Sequence, residues 1–318
     1  MHRLKWAHAA LGLAGLTGNL YPSCAWGQGA PPILQEFREV HLGMEFRIVI
    51  ESTPGNDAGQ MARLAYDRVD SLDLVLSDWR PQSELSRLGR ATPGAWHPIS
   101  NDLAAVLALA LDVAERTDGR FDPTVGPLTQ LWRHERSTGL VPSDSVRDAA
   151  RRRVGWHHLH IDAVHHLVRF DIPGMQLDLG GIAKGWILDQ VAVVLRAHGV
   201  RRFLIEAGGD LLLGEAPSQA PGWRVRVLRQ AGDTVLTLHE RAVSTSGPSA
   251  QAIPVPGGGT ASHVIDLANG RGLGSTLQVS VIGPIAAITD AIATALTLVA
   301  RNEWPDLLGH YGVEVLAP

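Results

Sequence analysis

The chain has 318 residues, 45% apolar and 19% charged, with a formal net charge of -4. That composition can bury a sizeable core and excludes a chain disordered by composition. The lack of basic excess excludes a general nucleic-acid binder. The single cysteine, Cys24, excludes an intramolecular disulfide and any multi-cysteine metal site.

Arg3 and Lys5 precede a small apolar run, Ala9–Leu16, which Tyr21-Pro22-Ser23-Cys24-Ala25 breaks. The run is far shorter than the roughly 20 residues that span a bilayer. Residues 1–29 are therefore expected to be an export signal, with 30–318 as the mature domain, periplasmic or otherwise exported. A disordered N-terminal arm is the plainer alternative. Leu20-Tyr21-Pro22-Ser23 suits a lipobox poorly, so simple cleavage ranks above membrane attachment through Cys24.

The remaining elements follow in chain order. His41–Glu51 alternates as a strand. Ala58–Leu76 sets Met61, Leu64, Ala65, Val69, Leu72 and Leu76 near one helical face. Asn101–Arg116 is a second helix, capped by Ser100 or Asn101, and Ser143–Arg153 a shorter polar one. Trp156–Asp162 with His166–Asp171 reads as a hairpin. Lys184–His198 is an amphipathic helix ending at Gly199, and Arg202–Glu206 a short apolar strand. Trp223–Leu228 pairs with Thr234–His239, and Gly257–Gly259 lies in a Pro/Gly loop. Gln278–Ile282 is a strand, Ile288–Ala300 a helix and Val313–Ala317 a strand. Hairpins without a regular βα repeat predict an α+β fold with mixed, largely antiparallel sheets and packed helices.

Four segments could carry chemistry. In Asp178-Leu179-Gly180-Gly181-Ile182-Ala183-Lys184 a strand ends, glycines free the backbone and a helix begins. Free amides at a helix start bind anions, and a lysine adds a point charge for phosphate. A tight turn with an exposed lysine gives the same pattern. Lysine is otherwise present only at position 5, so its use here tilts toward function. Asp290 and Thr294 are spaced i,i+4, one turn apart at an expected helix start. Their oxygens suit a hard cation such as Mg2+; an Asp at a helix N-terminus and a Thr bonding back to the helix suit them equally. His263 and Asp266 flank Val264-Ile265, and a histidine there could move a proton or be structural. Gly119-Arg120-Phe121-Asp122-Pro123 is a rigid loop that could frame a planar ligand or form a plain turn. The histidines 157, 158, 160, 165 and 166 crowd one hairpin, which is expected to be solvated rather than metal-binding.

Together these segments resemble the FAD:protein FMN transferases (ApbE-type flavin transferases). The matching pieces, in the family's order, are His41-Leu42-Gly43-Met44, residues 76–86, 118–124, 178–185 and 206–210, Thr245-Ser246-Gly247, residues 263–266 and 290–294. The resemblance implies an exported, Mg2+-dependent enzyme with an ApbE-like fold. It would move the FMN moiety of FAD to a threonine hydroxyl of an acceptor protein and release AMP, with inner-membrane association through the acceptor. Some members chiefly hydrolyse FAD to FMN and AMP; an exported protein that only binds FAD is the non-enzymatic alternative. Carried over by position, Met44 and Trp79 would contact FAD, Trp79 near its rings. Arg120, Phe121 and Asp122 would line the flavin or adenine pocket. Asp178 and Lys184 would hold ribose or pyrophosphate. Gly181 (through its carbonyl), Asp290 and Thr294 would bind Mg2+. His263, with Val264 beside it, would sit at the diphosphate, with His263 and Lys184 in catalytic roles. Trp79 stands where the family commonly has tyrosine, and Leu267 where it usually has proline.

Overall fold

The computed structural model describes residues 31–53, 55, 57–227, 232, 234–247, 253–254, 260–274 and 277–316. The expected signal with Cys24, and the loop at Gly257–Gly259, lie outside the described residues.

Among the described residues, seven strands form the main sheet, and their spatial order is their chain order. They are Ile33–His41, Met44–Ser52, Phe203–Ala207, Asp210–Leu213, Arg241–Ser246, Val279–Gly283 and Glu314–Leu316. Every neighbouring pair is antiparallel. Between the second and third strands the chain leaves the sheet to build most of the helices. These are α1 (Ala58–Leu76), α2 (Glu84–Leu88), α3 (Asn101–Arg116), α4 (Gly126–Thr138), α5 (Asp144–Arg151) and α6 (Ala183–Ala197), followed late in the chain by α7 (Ala286–Leu296) and α8 (Trp304–Tyr311). The α+β expectation holds.

The sheet buries both faces by the two-residue period of a strand. Ile48, Ile50, Phe203 and Ile205 turn toward α1, α6 and α7 and join Val69, Leu72, Ile187, Leu188 and Ile292 in the large core. Val49, Leu204, Leu213 and Val243 turn the other way, against Trp223, Val225 and Val227 of the hairpin Trp223–Val227/Thr234–Leu238. A continuous apolar run such as Phe203-Leu204-Ile205 is the signature of a strand covered on both faces.

Differences from the sequence expectations have local causes. The strand predicted over 41–51 is the second arm of a hairpin that turns at Leu42-Gly43. Its first arm, Ile33–His41, is an edge strand rich in exposed charge, so it carries no clean alternation. α4 starts with Pro at its first turn, where a missing amide costs nothing, and is polar over most of its length. α7 begins at Ala286 rather than Ile288, because its cap comes from outside. Asp189 of α6 accepts from the amides of Ala286 and Ala287, each at 2.9 Å.

α6 and α7 cross at Gly185. A methyl group there would lie 2.1 Å from the carbonyl oxygen of Ala286. Gly185→Ala is therefore expected to lower stability by about 2–3 kcal/mol through overpacking. Gly309 in α8 has open space around it, so Gly309→Ala should instead gain about 0.5–1 kcal/mol. Chemical denaturation of both variants checks the contrast; an unchanged midpoint for Gly185→Ala would contradict the crossing.

Candidate active site

The turn from Asp178 to Lys184 is built by its own backbone. The Asp178 amide donates to Pro123 O at 2.9 Å, tying the turn to the loop that follows α3. The Gly180 amide donates to Asp178 Oδ1 at 2.7 Å. Gly181 is pressed between two neighbours: a Cβ there would meet Phe121 at 3.1 Å and Thr294 Oγ1 at 3.3 Å. Phe121, Gly181 and Thr294 therefore meet in one place, and only glycine fits without displacing them.

Lys184 begins α6 and reaches across to α7. Its Nζ donates to Asp290 Oδ1 at 3.0 Å and Oδ2 at 3.3 Å, and the Gly185 amide donates to Asp290 Oδ2 at 3.1 Å. The same ammonium lies 3.2 Å from Asp210 Oδ2. Asp210 follows Gly208 and Gly209, whose positive φ angles of 57° and 93° close a tight hairpin. A Cβ at Gly208 would touch Met44 Sδ at 3.0 Å and approach Lys184 Cδ at 3.9 Å, so Met44 belongs to this cluster. Asp290 and Asp210 are buried, 4% and 1% exposed, so one ammonium faces two carboxylates and the cluster is short of positive charge. Burial, then the Asp290 carboxylate, push Asp210 up to about 6 against the pull of Lys184. Burial works against the charge of Lys184, but Asp210 and Asp290 outweigh it and hold its pKa above the usual lysine range.

These residues suit a hard divalent cation. Asp290 and Thr294 stand one turn apart, and Thr294 Oγ1 borders Gly181. Asp210 Oδ2 is buried and shares the one Lys184 ammonium with Asp290, and the excess carboxylate favours added positive charge. Among the described residues no three His, Cys, Asp or Glu side chains group as a metal site. Any cation held here would have to draw on hydroxyl and backbone oxygens as well, donors of the kind Mg2+ accepts. Asp290 lies in the second turn of α7, not at the helix start expected from sequence, so the helix N-terminus does not hold its charge; Lys184 and Gly185 do.

α4 forms another wall. The Trp132 ring meets His263 edge-on at 6.5 Å between centroids. Burial and then the Lys184 ammonium keep His263 below the ordinary histidine pKa of 6.5. Arg133 reaches Asp78 at 2.6 Å and Asp178 at 3.6 Å, with its guanidinium 3.9 Å above the Trp79 ring. Burial and the Asp178 carboxylate push Asp78 up to about 6, against Arg133.

The remaining sequence candidates are placed differently. Asp122 accepts from the Thr124 amide and hydroxyl and from the Trp156 amide, so its carboxylate builds its own loop. Arg120 pairs with Glu303 at 2.6 Å. Val264 is buried, its amide donating to Ser262 Oγ at 3.1 Å. Asp266 accepts from Ala268 and Asn269 within its own turn. His160 and His165 pair with Asp171 and Asp162 at 2.7 and 2.8 Å. A groove of about 690 Å3 borders Asp118, Gly119 and Asp122 but includes none of Phe121, Lys184, Asp290 or His263. Sequence reasoning missed Asp210, Asp189, Asp78 and Arg133 as site residues. Asp210 carried a signal, directly after two glycines; Arg133 lies on a helix that was not predicted.

The sequence matches the ApbE family over residues 42–317. A protein of Chlamydia trachomatis named FAD:protein FMN transferase is 34% identical over 270 residues, covering 83% of this chain and 84% of that protein. One of the same name from Salmonella typhimurium is 27% identical over 296 residues, covering 90% and 84%. Among solved structures, the flavin transferase ApbE of Vibrio cholerae superposes with a TM-score of 0.80 at 26% identity, covering 90% of this chain and 93% of the other. A match spanning nearly the whole described fold, with relatives aligned over most of their own lengths, makes this chain a member of the ApbE family.

Proposed function

We propose that this protein transfers the FMN moiety of FAD to a threonine hydroxyl of an acceptor protein and releases AMP. The observation that carries the reading is the convergence of Lys184, Asp290, Thr294 and the Gly180-Gly181 turn on one spot, half open to solvent around the buried Asp290. The names of its relatives agree with it. In the reaction the acceptor oxygen attacks the phosphorus of the FMN half of the diphosphate. The bond from that phosphorus to the bridging oxygen breaks, and AMP leaves with the electron pair. The acceptor proton passes to the His263 imidazole.

Each group has a physical task. Lys184, held between Asp290 and Asp210, would answer the negative charge collecting on the diphosphate once a bound cation offsets those carboxylates. The lack of side chains at Gly180 and Gly181 lets Asp178, Phe121 and Thr294 close in on the turn, which keeps its backbone in the site. The depressed pKa of His263 keeps it neutral and able to accept a proton. Asp290, Thr294 and the Gly181 carbonyl would hold Mg2+, which supplies Lewis-acid neutralisation of the diphosphate when bound. The basic start and small apolar run of residues 1–29 support export, and an acceptor in the inner membrane would bring the enzyme to that surface.

Asp290→Ala removes a proposed cation ligand and the partner of Lys184. Mass spectrometry of an acceptor peptide incubated with FAD and Mg2+ should then show FMN addition reduced at least about a hundredfold; full activity would remove Asp290 from the reaction. Wild-type protein with FAD and Mg2+ but no acceptor should release little AMP. Brisk release would mean that water is the natural acceptor, and neither transfer nor release would leave a protein that only binds flavin.

The direction of the His263 shift predicts a pH profile. A base with a lowered pKa stays deprotonated further into acid, so the acid limb of kcat/KM should fall below pH 6.5. His263→Gln should remove that limb and slow transfer about 10²–10⁴-fold. A limb above pH 6.5, or one that survives His263→Gln, would assign the proton to another group.

A further inference from the structure

We infer that Arg133 is a positioning residue: it fixes the plane of the Trp79 indole as a stacking platform for the flavin ring and ties that platform to the glycine turn. The inference rests on the FMN-transfer reading for the identity of the planar ligand, and on the geometry for the rest.

Trp79 is 69% exposed. An indole so far out of the core has little packing to hold its orientation. The Arg133 guanidinium, 3.9 Å from the ring centroid, covers one face, within the range where a cation and an aromatic face attract. At 69% exposure, most of the rest of the indole is open to solvent and accessible to a planar ligand. Arg133 is itself clamped. Its Nη1 lies 2.6 Å from Asp78 Oδ2 and its Nη2 3.6 Å from Asp178 Oδ2, on side chains only 19% and 10% exposed. Asp178 in turn accepts from the Gly180 amide at 2.7 Å. A connected path therefore runs from indole to guanidinium to carboxylate to the backbone beside Gly181. A flavin stacked on Trp79 would have its ring registered against the place where its phosphates must lie.

The residue type matters. A guanidinium is flat enough to lie on an indole while its separate nitrogens meet two carboxylates; an ammonium is a single point charge and cannot do both. Without it, the Asp78 and Asp178 carboxylates would lose the guanidinium that bridges them, and Asp178 already pushes Asp78 upward.

The test uses the mature chain and measures FAD affinity by equilibrium dialysis alongside the kinetics of transfer. Arg133→Met should weaken FAD binding about five- to thirtyfold, the size of a lost cation–π contact, with KM rising more than kcat falls. In a Trp79→Ala background the same substitution should change affinity less than about twofold, since the group through which it acts is gone. An equal effect in both backgrounds would overturn the inference. So would tighter binding by Arg133→Met, which would mean that the guanidinium occupies the face the flavin needs. If Arg133→Met fails to fold by circular dichroism, Arg133→Lys decides: it keeps the charge and loses the stack, and wild-type affinity there would also overturn the inference. Wild-type protein that binds FAD but neither transfers FMN nor releases AMP would defeat the proposed reaction while leaving the binding test of Arg133 intact.

Discussion

The site depends on the crossing of α6 and α7, and that crossing is held by an exchange of hydrogen bonds. From α6, the Gly185 amide and the Lys184 ammonium donate to Asp290 of α7. From α7, the Ala286 and Ala287 amides donate to Asp189 of α6. Each helix thus supplies a carboxylate to the first turn of the other. Neither has a side-chain cap of its own, so its orphan amides are satisfied across the interface. The exchange works only at close range, and glycine at 185 provides that range.

Burying carboxylates in this way is costly. Asp189 is pushed up to about 6 by burial even with two amides donating to it, and Asp210 is pushed up as well. A buried charge is tolerated where hydrogen bonds and opposite charge meet it. The residual imbalance of two carboxylates around one lysine is the feature that fits a cation at Asp290. The electrostatics of the site and the stability of the helix pair therefore rest on the same residues.

The region between the second and third strands is the other half of the design. It carries the Trp79 loop, the 118–124 loop and α4, and returns to the sheet through the glycine turn. Arg133 joins three of these pieces to one another, and Phe121 packs against Gly181. These loops are thus anchored on the helix pair, which is how a scaffold keeps a site in place.

Much of this was legible in the residue order. Periodicity and a local cap placed α1 and α3 at their observed boundaries, because the apolar faces of those helices recur at helical spacing and Ser100 caps α3 locally. The glycine turn, Lys184 and the Asp290/Thr294 pair stood out because their chemistry is carried by neighbours in sequence. What the order could not reveal depends on residues far apart in the chain. The start of α7 is set by Asp189, 97 positions away from Ala286. The pairing of Lys184 with Asp290 spans 106 positions, and only the folded crossing brings it about. Arg133 gains its role from partners on a loop and a turn that the sequence does not place beside it. Local propensity and residue type determined the elements and the candidate chemistry; long-range packing decided which charges face one another, because electrostatic and hydrogen-bond partners are chosen by distance in space rather than along the chain.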